Sequence, residues 1–266
     1  MNETLAVVGG GAIATGLAAV AAQNGGGQSV VIWVRSDESA ARTQKSVDKL
    51  AGRLEIDPAT ITVTTDMSQI ASASAVIEAI AEDLELKTEL WSRIQEHAAE
   101  GALLGSTTSS LSVQALAEAS GAPDRFVALH VFNPVTHMKL VELAYATQAT
   151  DDTKARAQAL CEALGKTAVN VPDTPGFIVN RLLFPYLFDA VNFQAESGLS
   201  SEAIDTAMKL GAGHPMGPLA LIDYVGLDVS KAIAEQIGTP IPARIDELIA
   251  EGALGKKAGR GFYDYS

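Results

Sequence analysis

Two polar residues interrupt apolar runs twelve positions apart. His130 stands in Phe126-Val127-Ala128-Leu129-His130-Val131-Phe132-Asn133-Pro134, and Glu142 stands in Leu140-Val141-Glu142-Leu143. Folding the chain back about residue 136 sets the two opposite each other. A carboxylate on one nitrogen of a buried imidazole fixes its tautomer and stabilises its charged form, and the other nitrogen then exchanges a proton. The pair is a general acid–base couple or a structural clasp across a hairpin. Spacing alone does not choose between them.

A second chemical feature is Gly9-Gly10-Gly11-Ala12-Ile13-Ala14-Thr15-Gly16. It follows the apolar run Leu5-Ala6-Val7-Val8 and opens an Ala-rich helical pattern, the context in which a G-x-G-x-x-G/A spacing binds a dinucleotide. Gly9 allows the tight turn, Gly11 removes the Cβ that would block a pyrophosphate, and Ala14 permits close helix–sheet packing. The amides of Ala12 and Ile13 begin the first helical turn, whose N–H groups and dipole favour a phosphate. The next strand ends in Trp33-Val34-Arg35-Ser36, with no carboxylate at 34 or 35. Arg35 and Ser36 suit a ribose 2′-phosphate and lean the cofactor to NADP(H). The alternative is a solvated Arg35, with Asp37 turning back to an unphosphorylated ribose.

These residues need elements to hold them. Strand-like runs occur at 5–8, 30–34, 61–65, 75–80, 103–105, 126–132, 140–145 and 167–171. Helical patterns cover 12–23, stopped by Gly25-Gly26-Gly27, and 38–53, 83–99, 112–119 and 152–164. The alternation predicts an α/β fold, a Rossmann-type doubly wound parallel sheet with right-handed crossovers. After Pro172 only helical patterns remain, at 176–196, 201–209, 226–237 and 242–251. The division expected is therefore a dinucleotide-binding domain over 1–172 and a smaller all-α domain over 173–266. Phe177 to Phe193 is apolar around most of a helix and should be buried on several sides, in a dimer or inside a monomeric bundle.

The composition narrows the classes. The chain has 266 residues, 47% hydrophobic and 19% charged, enough for a sizeable core. Its 44 alanines and 23 glycines against 5% aromatics suit closely packed helices on a sheet. A net charge of −13 with no basic stripe argues against nucleic acid. The lone Cys161 excludes an intrachain disulfide, and the four histidines lack metal-ligand spacing, so no metal is expected. Met1-Asn2-Glu3-Thr4 lacks a basic leader and no long uncharged apolar run exists, so a cytoplasmic protein without membrane contact is expected.

Five blocks in order make the chain similar to the short-chain L-3-hydroxyacyl-CoA dehydrogenases, including 3-hydroxybutyryl-CoA dehydrogenases. They are Ser106-Thr107-Thr108-Ser109-Ser110-Leu111; His130 to Pro134 with Met138-Lys139-Leu140-Val141-Glu142; Pro175-Gly176-Phe177-Ile178-Val179-Asn180-Arg181; Gly211-Ala212-Gly213-His214-Pro215-Met216-Gly217-Pro218; and Gly255 to Tyr263. The likeness covers most of the chain. It implies reversible NAD(P)-dependent hydride transfer between a (3S)-3-hydroxyacyl-CoA and the 3-oxoacyl-CoA, in a homodimer joined through the C-terminal helices. By the same resemblance His130 is the base and Glu142 orients it, Ser109 and Asn180 hydrogen-bond the reacting oxygen, and Glu82 and Lys87 lie near the nicotinamide. A solvated helix start is the plain alternative for Glu82 and Lys87. His214 reads as a turn residue and Cys161 as a core thiol.

The chain also departs from the family. Val34 stands at the acidic ribose reader and Thr107 at a usual Asn. Residues 36–60 are shorter than the helical excursion that helps hold CoA in relatives. That shortening motivates a second reading, a dehydrogenase of free gulonate- or carnitine-like 3-hydroxy acids. A third, from another class, is a dinucleotide-binding protein without turnover.

Overall fold

The structure is a computed structural model that describes residues 3–25 and 29–266. Gly26 and Gly27, two of the three glycines expected to stop the first helix, lie outside the described residues. The chain divides into two compact units, residues 1–174 and 175–266.

The first unit runs β1 (Leu5–Val8), α1 (Ala12–Asn24), β2 (Val30–Trp33), α2 (Asp37–Leu54), β3 (Ile61–Thr64), β4 (Ala75–Glu78), α3 (Leu84–Gln95), β5 (Leu103–Ser106), α4 (Val113–Ala119), β6 (Phe126–Val131), β7 (Leu140–Tyr145), α5 (Asp151–Ala163) and β8 (Thr167–Asn170). The strands form one sheet in the order β3-β2-β1-β4-β5-β6-β7-β8. Its first six strands follow the doubly wound order, with the reversal of direction between β1 and β4 where ligands bind. β1, β4, β5 and β6 are buried along their whole length, as expected of strands covered on both faces. Alanines explain how α1 lies so close to the sheet: Ala14, Ala18, Ala19 and Ala21 have no exposed surface. A Cβ on Gly16 of α1 would come within 2.8 Å of the Val135 side chain.

The sheet is parallel except at one junction, where the chain folds back between residues 131 and 140. β7 runs antiparallel to β6, and β8 is again parallel to β7. Residues 132–139 are too few for a crossover helix, so the chain must return as a hairpin. Lys166, just before β8, clamps that return: its Nζ donates to the carbonyls of Val135 and of Met138 (2.8 Å to the latter).

The second unit contains α6 (Val179–Ser197), α7 (Ser201–Gly211), α8 (Pro218–Val225), α9 (Leu227–Ile237) and α10 (Ala243–Ala250). Phe184, Leu187, Phe188 and Val191 of α6 pack with Ile204, Leu219, Ile222 and Leu248. The sequence reading did not anticipate α8, because eight residues hold too few turns to show a helical period. It also expected α6 to be buried on several sides. The buried residues share one face, while Leu182 and Phe193, on the opposite face by helical spacing, are 68% and 53% exposed. Two buried carboxylates hold the start of α8 and the chain at 262–263. Asp205 accepts the backbone N–H groups of Leu219 and Ala220, and Asp223 accepts those of Phe262 and Tyr263. Among the described residues no helix is long and apolar enough to cross a membrane.

Replacing Lys166 with Met keeps the buried stem and leaves two carbonyls without their donor. The variant should lose about 1–3 kcal/mol of stability, read as a lower midpoint in urea unfolding. An unchanged midpoint would show that the clamp is dispensable.

Candidate active site

The glycine turn sits where β1 feeds α1. Gly9 has φ 137°, and a Cβ there would lie 2.3 Å from the Ala79 carbonyl oxygen at the end of β4. Its N–H donates to Trp33 O at the end of β2, so the turn is drawn against both neighbouring strands. Gly10 is needed for a reason the spacing did not reveal: a Cβ would meet Thr43 of α2, whose hydroxyl donates to the Gly10 carbonyl. Gly11 caps α1, and a Cβ on it would meet nothing within 4 Å. The turn therefore opens onto an empty space beside the first N–H groups of α1. That space is a cleft of about 780 Å³, lined by residues 9–13, Trp33, Arg35, Ala79, Thr107 and Asn133 among others. A cradle bare of side chains, facing helical N–H groups, fits a pyrophosphate. The strand order places the cleft's ends: β2 carries Arg35 at one, and β5 and β6 lead to Thr107 and Asn133 at the other.

At the β2 end Arg35 is exposed and lines the cleft. Ser36 does not line it; its hydroxyl caps α2, accepting from the Ser39 N–H at 3.3 Å. Three cleft residues here escaped the sequence reading: Ser39, Arg42 and Arg93. Arg42 donates to Ser39 Oγ at 3.2 Å, and the Arg93 guanidinium lies 5.1 Å from the Trp33 ring centroid. Ser39 and Arg42 stand on α2, four and seven residues past Arg35, and Arg93 stands on α3, beyond two further strands, so only the fold gathers them. Asp37 lies in the first turn of α2 and accepts from Thr65 Oγ1 at 3.4 Å; it does not line the cleft.

The β6–β7 hairpin pairs His130 with Glu142 in register. His130 Nδ1 lies 2.7 Å from Glu142 Oε2, and both residues are buried. A carboxylate only accepts, so Nδ1 is the nitrogen that carries the proton. The Phe132 ring stands 4.5 Å from the imidazole centroid.

Glu82 is no solvated helix start. α3 is capped by Asp83, and Glu82 turns instead toward the loop after β5. Its Oε1 accepts from Thr108 Oγ1 (2.8 Å), Ser109 N (2.7 Å), Ser110 N (3.0 Å) and the hydroxyls of Ser109 (3.2 Å) and Ser110 (3.0 Å). Burial works against its charge, but the Lys87 ammonium and these hydrogen bonds outweigh it and hold the carboxyl below its ordinary value. Lys87 is fully buried, 2.6 Å from Glu78 and 3.6 Å from Glu82, and is not among the cleft-lining residues.

Asn180 belongs to the second unit, in the first turn of α6, where it is buried. Gly176 and Phe177 before it both take positive φ, 80° and 46°. His214 pairs with the Tyr186 hydroxyl at 3.2 Å, as a turn residue would. Cys161 is enclosed, and burial pushes its thiol up to about 12, which makes it inert.

The chain matches the profile described as "3-hydroxyacyl-CoA dehydrogenase, NAD binding domain" over residues 4–174, and that described as "3-hydroxyacyl-CoA dehydrogenase, C-terminal domain" over 176–265. It is 41% identical to the mitochondrial hydroxyacyl-coenzyme A dehydrogenase of Sus scrofa, over 97% of this chain and 90% of that protein. It is 38% identical to a probable 3-hydroxybutyryl-CoA dehydrogenase of Deinococcus radiodurans, over 97% and 99%. The solved (S)-3-hydroxybutyryl-CoA dehydrogenase of Ralstonia eutropha superposes with a TM-score of 0.88 at 36% identity, covering 99% of both chains.

Gly9→Ala should drive the turn off the Ala79 carbonyl and distort the cradle. Binding of a nicotinamide dinucleotide, followed by fluorescence titration, should weaken at least tenfold while the far-ultraviolet dichroism is retained.

Proposed function

The chain belongs to the 3-hydroxyacyl-CoA dehydrogenase family, an oxidoreductase family acting on CH–OH with a nicotinamide dinucleotide, and on that premise we propose that His130 is its acid–base residue and Glu142 the group that orients it. The observation that carries this reading is the buried 2.7 Å contact between His130 Nδ1 and Glu142 at the ligand-binding edge of the sheet. The protein catalyses reversible hydride transfer between a (3S)-3-hydroxyacyl-CoA, such as 3-hydroxybutyryl-CoA, and the 3-oxoacyl-CoA.

When bound, a nicotinamide would supply the hydride acceptor for C3 in the oxidative direction. His130 Nε2 takes the hydroxyl proton, and Glu142 stabilises the imidazolium that results. In reverse the imidazolium returns the proton. Ser109 and Asn180 donate to the reacting oxygen as it gains negative charge. The Ser109 hydroxyl has one proton, now shared with Glu82 at 3.2 Å. It turns from Glu82 to the substrate when substrate binds, and Glu82 keeps its four other donors in the loop. Gly9, Gly11, Ala12, Ile13 and Ala14 hold the pyrophosphate, with the first N–H groups of α1 as donors.

The cofactor we assign is NADP(H). Arg35, Ser39 and Arg42 converge on the cleft beyond β2, Asp37 is engaged elsewhere, and Glu89 is the one carboxylate among the described lining residues. A 2′-phosphate suits two guanidinium groups and a hydroxyl better than a ribose diol does. Ser36, committed to capping α2, supports the site by holding that helix.

Residues 1–172 form the dinucleotide-binding domain and 173–266 the substrate and dimerisation domain of this reading. Leu182 and Phe193 form an exposed apolar face on α6 that favours a homodimer. The single buried Cys161 suits a reducing compartment, and the cytoplasm is the location we assign.

Acetoacetyl-CoA with NADPH should give a falling nicotinamide absorbance, at a kcat/KM at least tenfold above that with NADH. Turnover of free 3-oxo or 3-hydroxy acids without thioesters would select the free-acid reading, which the presence of only one α-helix between β2 and β3 favours. His130→Ala should lower kcat by about 10²–10⁴ with the cofactor dissociation constant unchanged; loss of folding would make the pair a clasp. Sedimentation velocity should give twice the 27.7 kDa chain mass, and Leu182→Glu with Phe193→Glu should return the monomer.

A further inference from the structure

The last residue of β4, Glu78, is a carboxylate with no exposed surface. Its Oε1 accepts from Lys87 Nζ at 2.6 Å and from the backbone N–H of Ile80 at 2.7 Å. Its Oε2 accepts from Ser106 Oγ at 2.6 Å. Burying a carboxylate is costly unless both oxygens are satisfied, and here both are. The ammonium that pairs with it is shared: Lys87 also reaches Glu82 at 3.6 Å. Two carboxylates and one ammonium leave one formal negative charge in a largely buried cluster. A hydrophobic trio of similar size would fill the space without that charge.

The position of the cluster suggests what the charge does. Residues 79–81, between Glu78 and Glu82, line the cleft, and so does Thr107, next to Ser106. These lie toward the β5–β6 end, opposite the end that carries Arg35 and Arg42. His130 is on β6, so the reacting end of the dinucleotide belongs there. A nicotinamide ring is cationic when oxidised and neutral when reduced. A fixed charge in a poorly solvated wall acts on that difference with little screening.

We propose that Glu78 is a positioning residue that, through Lys87, Ser106 and Glu82, holds one net negative charge beside the nicotinamide and so strengthens binding of the oxidised cofactor relative to the reduced one. The inference rests on the dinucleotide reading above and not on the choice of NADP(H). Glu78 touches neither cofactor nor substrate. It acts through its partners: Ser106 Oγ accepts the Thr108 N–H at 3.2 Å, and Glu82 ties down Ser109.

The test uses the full chain and measures dissociation constants for the oxidised and reduced forms of whichever dinucleotide the parent binds more tightly. Glu78→Gln keeps the shape and removes the charge. It should weaken the oxidised form relative to the reduced form by about tenfold. Adding Lys87→Met removes the ammonium as well, which restores one formal negative charge, on Glu82. The double variant should return the ratio to within about threefold of the parent. A packing role predicts the reverse, because the second substitution would only add damage. Equal weakening of both forms by Glu78→Gln, an unchanged ratio, or a double variant that keeps the shifted ratio each overturn the proposal. If the single variant does not fold, the double variant decides: a parental ratio supports the charge account and a tenfold shift overturns it. A parent that binds neither form overturns the dinucleotide reading itself.

Discussion

Gly9 brings three strands together at one point. Its N–H is bonded to the end of β2, and the carbonyl after β4 occupies the space a side chain would take. Everything in the cleft follows from that closeness. It lets the turn cross between β2 and β4 without a side chain, aims the first N–H groups of α1 into open space, and makes the β2 and β4 ends the two walls. Thr43 ties the same turn to α2 through the Gly10 carbonyl. The helix that shapes the turn therefore also carries Ser39 and Arg42, so the glycine turn and the Arg35 end of the cleft are tied to one helix.

The other constraint is the single antiparallel junction. Within a purely parallel sheet His130 would have no neighbour from a returning strand. The short return after β6 sets Glu142 directly across from it, with Lys166 holding the carbonyls that the turn leaves over. Between cradle and hairpin lies a layer of buried charge. Glu78, Lys87 and Glu82 join β4, α3 and the loop after β5, so that loop is tied to the sheet.

Much of this was legible residue by residue. The turn at 9–11 declares itself because a strand, three glycines and an Ala-rich helix follow one another with no gap. His130 and Glu142 declare themselves because each is polar in an apolar run, and folding the chain back about residue 136 sets them opposite each other. Glu82 was read as belonging to the site, yet the alternative for it was solvation, and the structure shows it satisfied by the loop 108–110. Ser36 was read as a phosphate contact and caps a helix instead, since a serine just before an acidic helical turn serves both uses equally well in sequence. The apolar stretch 177–193 was read as buried on several sides, because composition does not say which face meets a neighbour.

The sequence by itself determined the order of the strands and of the helices other than α8, the division near Pro172 to Pro175 as an expectation, and the types of chemical group present. These are local properties, set by periodicity, turn residues and the covalent order of the chain. Only the tertiary structure decided that Arg42 and Arg93 join Arg35, that Asp37 stays away from the cleft, and that Lys87 lies between two carboxylates under its wall. Those facts depend on which strand ends lie side by side. Hydrogen-bond pairing across the sheet sets that adjacency, and residues distant in the chain can report it only once they are folded together.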